Sequence, residues 1–391
     1  MISVTEAQQL IIQKAKLLDT FTLNLEDAFG YFLAEDLTAP INLPSFRQSA
    51  MDGYAFIHTD KTELKVVGQV QAGDTQIPDL KKGEAIRIFT GAPVPDAADT
   101  VVIQEHTTRN GDQLILDKLP HKEANVRPIG EQITAGTYVL KTGHQINEAS
   151  LGFMAGLGFT KIEVYRKPSV TILTTGNELQ KPGTPLKPNH IYESNGIMLK
   201  SALGRIGITK VQNLKAQDTL EATKKAVKNA LQQSDVLLVS GGISVGDYDF
   251  VQEALLSNGV KEHFYKVNQK PGKPLWFGTS EEKSIFGLPG NPASSLTAFY
   301  VYVLPHLRSR MGSLLPFLNE RKAELTEDIT NKIGKTLFLK AGVADTKITA
   351  YTGQASSMLN TYALSNALLV VPETETDLKA GDVVNYMDLS F

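Results

Sequence analysis

Lys266, Lys270 and Lys273 surround a Pro-Gly turn in "YKVNQKPGKP". Upstream, "SGGISVGDYDF" sets Gly241, Gly242 and Gly246 beside Ser244, Asp247 and Asp249. Downstream, "FGLPGNPASS" holds Pro289, Gly290, Asn291 and Pro292. Cations, paired carboxylates and glycines in this arrangement suit an anionic ligand. Gly242 to Gly246 also spells G-x-S-x-G, but a hydrolase elbow starts its helix at the serine. Here Val245 to Asp249 intervene, and two aspartates would repel an oxyanion on Ser244. Gly241 and Gly246 have P-loop spacing, yet Asp247 and Tyr248 stand where Lys and Ser/Thr belong. The third reading is an anion cradle. Backbone N–H groups converge at the glycines, the following helix adds its positive end, and a hard divalent cation bridges carboxylate and phosphate. Asp249 alone reads equally well as a helix cap. Pro289 and Pro292 fix the backbone at a second helix start, with Asn291 as its cap. Glu178 in "TTGNEL" falls at the same rim, or is an ordinary loop carboxylate.

The elements that carry these residues follow from periodicity. Residues 3–18 predict a helix capped by Ser3 or Thr5. From about residue 38 the chain is rich in Pro and Gly, with short alternating runs at Leu64 to Val70, Ala85 to Phe89 and Thr100 to Ile103. From Val170, strands alternate with helices: Val170 to Thr174, Gly196 to Arg205, Thr209 to Leu214, a helix capped by Asp218, and Val236 to Val239. Phe250 to Leu256 is a helix, His263 to Val267, Leu275 to Phe277 and Ile285 to Leu288 are strands, and a long helix runs from Asn291 to Leu307. This alternation implies a parallel sheet with helices on both faces, and ligands bind beyond the carboxyl ends of such strands. The remainder, including Leu337 to Lys340 and Leu368 to Val371, is β-rich.

Composition bounds the function. The 391 residues are 42% hydrophobic and 21% charged, as in a soluble multidomain protein. A net charge of −3 argues against a nucleic-acid binder. The chain has no cysteine, which excludes disulfides, thiolate metal sites and cysteine nucleophiles. "MISVTEAQQL" has no signal-peptide pattern, and no apolar run approaches the ~18 residues of a membrane span, so a cytoplasmic location is expected.

Several ordered segments carry a family resemblance: "LPSFRQSAMDGYAF", "RIFTGAPVPDAADTVVIQE", "NVRPIGEQI", "TTGNEL", "SGGISVGDYDF", "QKPGKPLWFG" and "GLPGNPAS". In these the chain resembles, over essentially its whole length, the molybdopterin molybdenumtransferases related to the E domain of gephyrin. The resemblance implies a multidomain α/β fold: a molybdopterin-binding α/β domain (1–20 and 168–311), an extended linker domain (21–38 and 133–167), a β-rich domain (39–132) and a C-terminal β domain (312–391). It implies an elongated homodimer that inserts molybdate into adenylylated molybdopterin and releases AMP, with magnesium. It also admits the molybdopterin adenylyltransferase as a partner. By motif position it implicates Asp52, Thr90, Glu178, Asp218, Asp249, Lys266, Lys270, Pro289 and Pro292. Ser240, Gly241, Gly242, Ser244, Gly246, Asp247, Lys273, Gly290 and Asn291 lie in the same motifs and are assigned to binding. Ser356 and Ser357 would complete the site from the last domain. Magnesium would be held by Asp52, Asp247 or Asp249, and molybdate by the lysines. With Asp52 and Thr90 in one domain and Asp249 and Lys270 in another, sites shared between subunits are expected. The chain departs from the family pattern at Gln132, which replaces a carboxylate, at Gln217-Asp218, and at Lys335 and Lys340, where arginines are common. A scaffold without turnover and a hydrolase using Ser244 are the competing functions.

Overall fold

The computed structural model describes residues 1–243 and 250–390. The chain opens with helix Val4–Gln13, where Ser3 and Glu6 exchange hydrogen bonds in a capping box. The helix stops short of the predicted residue 18. Ala7 and Ile11 are its buried residues, so only its middle turns are held by packing. Thr20–Asn24 then pairs antiparallel with Lys161–Tyr165, and Leu37–Thr38 with Tyr138–Leu140. These ladders tie the outgoing chain to its return. Between them a six-stranded sheet runs in the order Thr100–Ile103, Gly53–Phe56, Glu84–Ile88, Glu63–Val70, Gln113–Leu116, Thr107–Asn110. Leu64, Val66 and Val70 of one strand are buried, the period-two pattern of a sheet with one dry face.

The α/β sheet has the order Val211–Ala216, Val170–Thr175, Val236–Ser240, Lys283–Leu288, Trp276–Ser280, Lys261–Tyr265. Its first four strands are parallel. Trp276–Ser280 runs against them, pairing antiparallel with Lys283–Leu288 and with Lys261–Tyr265, so the expected parallel sheet carries one reversed strand. The cause is a tight hairpin: Ser280 pairs with Lys283 across Glu281-Glu282, and Glu281 takes φ +53°. Every residue of Val170–Thr175 and Val236–Ser240 is buried, as expected where helices cover both faces. Successive residues feed opposite cores. Ile172 and Leu238 join Leu199 and Leu203 of helix Asn195–Arg205 on one face. Leu173, Leu237 and Val239 join Val227 of Leu220–Gln233 and Leu255 of Val251–Ser257 on the other.

Thr219, not Asp218, caps Leu220–Gln233, by accepting the Ala222 N–H. The predicted long helix after Asn291 extends to Arg310, with the turn Phe299–Val303 widened into a π-helix. Pro305 lacks the N–H that an α-turn would return to Val301, which accounts for the widening.

The C-terminal strands Thr336–Ala344, Lys347–Ala350, Glu320–Leu325, Val383–Asp388 and Ala367–Val371 follow one another in a sheet, and the last pairs back with the first. They therefore close into a small barrel around Leu325, Ile348, Leu369 and Val384. Gln269–Lys270, from the lysine turn, adds a short parallel strand to Thr336–Ala344. No helix among the described residues is long and apolar enough to cross a membrane.

Candidate functional site

The parallel strands carry the chain order second, first, third, fourth, so the topological switch falls between Val170–Thr175 and Val236–Ser240. A cavity of about 770 Å³ opens at their carboxyl ends. Its floor is made by glycines that a side chain would block. Gly241 and Gly242 follow the strand with φ +91° and +64°. A Cβ on Gly242 would stand 2.8 Å from both the Thr175 hydroxyl and a Val251 methyl. Gly176, at φ +139°, lets the Glu178 carboxylate fold back over the turn.

One asparagine braces three loops. Asn195 begins helix Asn195–Arg205, and its Nδ2 donates to Ser240 Oγ and to the Gly290 carbonyl, each at 2.8 Å. A carbonyl can only accept, so this fixes the amide orientation. Asn195 Oδ1 is then buried beside the cavity without a partner among the described residues. A ligand with a hydrogen-bond donor would satisfy it. On the opposite rim, Asp218 Oδ2 accepts the Asn177 N–H at 2.7 Å and so pins the turn that carries Glu178.

The far wall comes from two domains. Pro289, Gly290, Asn291 and Pro292 line the cavity, with Pro292 in the first turn of its helix. Asn291 Nδ2 donates to Ser356 Oγ at 2.9 Å, and the Ser294 N–H donates to the Ser356 carbonyl at 3.2 Å. Ser356 and Ser357 thereby reach the wall from the barrel side.

Of the residues expected in the site, Glu178, Asp218, Ser240, Gly241, Gly242, the 289–292 segment and both serines line this one cavity. The three lysine side chains do not. Gly272 and Pro274 of their turn form the wall instead. The Lys266 ammonium lies 4.6 Å from the centre of the Tyr265 ring. Lys270 borders a separate cavity of about 130 Å³ shared with Asn331, Lys332 and Gln354. Lys273 is exposed. Asp52 and Thr90 pair with each other in the N-terminal sheet region, away from the cavity lining. Thr90 gives Asp52 Oδ1 its N–H at 2.7 Å and its hydroxyl at 2.9 Å, which holds the Asp52 carboxyl below its usual range. Ser244, Gly246, Asp247 and Asp249 lie outside the described residues.

Sequence reasoning missed Asn195, Glu193 and Tyr192 on the cavity wall. The signal was the segment "YESN", which joins an acid, a hydroxyl and an amide at a helix start. Among the described lining residues are the carboxylates of Glu178, Glu193 and Asp218, and no lysine, arginine or histidine. No three acidic or histidine side chains among the described residues converge as a metal-ligand cluster. The charge of an anionic ligand here would need neutralising from outside these lining residues.

A ligand cavity at the switch point of a doubly wound sheet, walled by a loop from a β-barrel, defines a multidomain α/β small-molecule-binding protein. Models for the MoeA N-terminal region (domains I and II), a probable molybdopterin-binding domain and the MoeA C-terminal region (domain IV) match residues 2–158, 171–309 and 322–389. The molybdopterin molybdenumtransferase of Staphylococcus epidermidis is 33% identical over 98% of this chain and 94% of its own length. Molybdopterin molybdenumtransferase 2 of Mycobacterium tuberculosis is 35% identical over 99% of this chain and 100% of its own. The solved structure of the molybdopterin biosynthesis moeA protein from Pyrococcus horikoshii OT3 superposes with a TM-score of 0.86 at 27% identity, covering 99% of this chain and 100% of that one. The chain belongs to the molybdopterin molybdenumtransferase family.

Proposed function

We propose that this chain inserts molybdate into adenylylated molybdopterin, releases AMP, and does so as a magnesium-dependent homodimer whose sites draw on both subunits. The observation that carries the reading is the cavity at the switch point, where a glycine floor, an unpartnered Asn195 acceptor and the Ser356 loop meet. The division into 1–20 with 168–311, 21–38 with 133–167, 39–132 and 312–391 is part of the same reading. Asp52 and Thr90 do not line the cavity of their own chain, which favours their delivery to the partner's cavity across a two-fold axis.

Within the cavity, Asn195 orients the ligand by accepting from it. Asp218 fixes the Glu178 turn, and Ser356 with Asn291 closes the wall. Lys270 and Lys266 supply positive charge for molybdate from the neighbouring turn. Magnesium, when bound, would neutralise charge on the pyrophosphate link. The hard oxygen donors of Asp52, Asp247 and Asp249 suit it, and the Thr90 N–H and hydroxyl favour the carboxylate form of Asp52. We assign the protein to the cytoplasm and retain the molybdopterin adenylyltransferase as a partner, both from family membership. The test is incubation with adenylylated molybdopterin, with and without molybdate and magnesium, reading AMP release and pterin-bound molybdenum. Molybdenum insertion accompanied by AMP release is expected. No AMP release under any condition would overturn the reading.

A further inference from the structure

Lys340 stands where the family pattern often has an arginine, a position that invites the role of an oxyanion ligand. Its surroundings assign it another. The residue is 2% exposed, inside strand Thr336–Ala344. Its ammonium donates to three backbone carbonyls: Gly353 at 2.8 Å, Met358 at 3.0 Å and Ala355 at 3.2 Å. An ammonium has three N–H donors, so none is left for an anion. Lys340 takes part in none of the ion pairs formed among the described residues. Among the described residues, its charge is met by carbonyl dipoles.

Those carbonyls belong to the loop that bears Ser356 and Ser357. The same loop is tied again through Gln354, whose Oε1 accepts the Lys340 N–H at 3.0 Å and whose Nε2 donates to the Lys340 carbonyl at 2.9 Å and the Tyr351 carbonyl at 2.7 Å. Without the ammonium the Met358 carbonyl would lose its lysine partner, and the Gly353 and Ala355 carbonyls would keep only local ones, the Thr361 hydroxyl and the Met358 N–H, each at 3.1 Å. The loop would lose three ties to the strand at once, and its part-buried carbonyls would turn outward to water. Ser356 would then leave Asn291 and the Ser294 N–H, and the cavity would lose its barrel-side wall.

We propose that Lys340 is a positioning residue: it folds the 353–358 loop around a buried ammonium and thereby sets Ser356 against the helix start at Asn291, without touching molybdate. The consequence for catalysis rests on the function proposed above; the hold on the loop does not. In Lys340→Met the side chain keeps its bulk and loses its donors. Amide hydrogen exchange without substrate is expected to rise roughly tenfold or more across 353–358 while the strands of the barrel stay protected. In the active homodimer, KM for adenylylated molybdopterin should rise roughly five- to tenfold, the scale of one or two lost contacts. Half-saturation by molybdate should stay within about twofold. Ser356→Ala should add little in the Lys340→Met background, because the serine is already displaced. Lys340→Gln, which keeps an amide donor, replaces the methionine variant if that one does not fold.

Unchanged loop exchange would overturn the proposal even in a fully active enzyme. So would a defect repaired by raised molybdate, which would make Lys340 an anion ligand, or full additivity with Ser356→Ala. If instead the loop loosens while the wild-type chain releases no AMP, the functional reading fails and the role of Lys340 in the loop stands.

Discussion

Replacing Asn195 by alanine separates stability from ligand binding. In the free protein the substitution removes two hydrogen bonds, to Ser240 Oγ and the Gly290 carbonyl. Each contributes about 1 kcal/mol. It also removes Oδ1, a buried acceptor with no partner among the described residues. Such an orphan costs about 1–3 kcal/mol, so the two effects nearly cancel. Unliganded stability should therefore change by about 1 kcal/mol or less. With ligand bound, the wild type gains the bond to Oδ1 and the variant does not. Affinity for adenylylated molybdopterin should fall roughly tenfold, equivalent to about 1.4 kcal/mol. Asn195→Asp has nearly the same shape but turns a carboxylate oxygen toward the Gly290 carbonyl. It should be worse than alanine in both respects, costing about 2–4 kcal/mol of stability. The assay is urea unfolding of the free protein together with titration of the adenylylated cofactor by fluorescence. Affinity unchanged in Asn195→Ala would refute the claim that ligand satisfies Oδ1. Aspartate tolerated as well as alanine would refute the amide orientation.

Gly242→Ala should lose about 2–4 kcal/mol, from positive φ and two contacts at 2.8 Å, whereas Gly290→Ala, whose nearest contact would be 3.6 Å, should melt normally and bind ligand weakly. Equal urea midpoints for the two variants would contradict this. His306 is buried between the Ile11 carbonyl and Ser284, and burial lowers its pKa to about 3. The unfolded chain binds this proton below about pH 6.5 and the folded chain does not, so stability is complete above that pH and falls on acidification toward pH 3, by up to about 1.4 kcal/mol per unit. His306→Gln should flatten that slope in urea melts at pH 7, 6 and 5, and an unaltered slope would remove His306 as its source. Mixing Asp52→Ala and Asp249→Ala chains under subunit exchange should restore AMP release, because shared sites leave one intact site per mixed dimer; absence of recovery after proven exchange would show that each site belongs to one chain.

The doubly wound core was legible because Val170–Thr175 and Val236–Ser240 are buried throughout and rich in Val, Ile, Leu and Thr, residues that favour buried strands. The reversal of Trp276–Ser280 was not, because Glu281-Glu282 makes its hairpin without the Asn-Gly or Asp-Gly that usually announces one. Strand Glu320–Leu325 stayed hidden since only Ala323 and Leu325 are buried among charged neighbours. The glycine floor was readable, as its backbone conformations demand glycine. Asn195 was not, since its meaning comes from partners 45 and 95 residues away. The lysine cluster is contiguous in sequence, yet Lys266 turns onto Tyr265 while Lys270 borders another cavity. Lys340 reads as a substitute for a common arginine, and its hold on the 353–358 loop shows only once the barrel closes over it.

The lysine turn is stitched to the barrel by main-chain pairing: Gln269 with Thr336, Lys270 with Leu337, and the Thr336 N–H to the Asn268 carbonyl at 3.1 Å. Gln269 is at the same time anchored on the α/β side by the Tyr302 hydroxyl. One short strand thus answers to two domains. A barrel grafted from a distant relative must present a matching edge in the same register, or the turn loses its partner. The heritable module is therefore the α/β domain together with its barrel, and a recombination breakpoint in the 311–319 connection, which separates them, is poorly tolerated between distant parents.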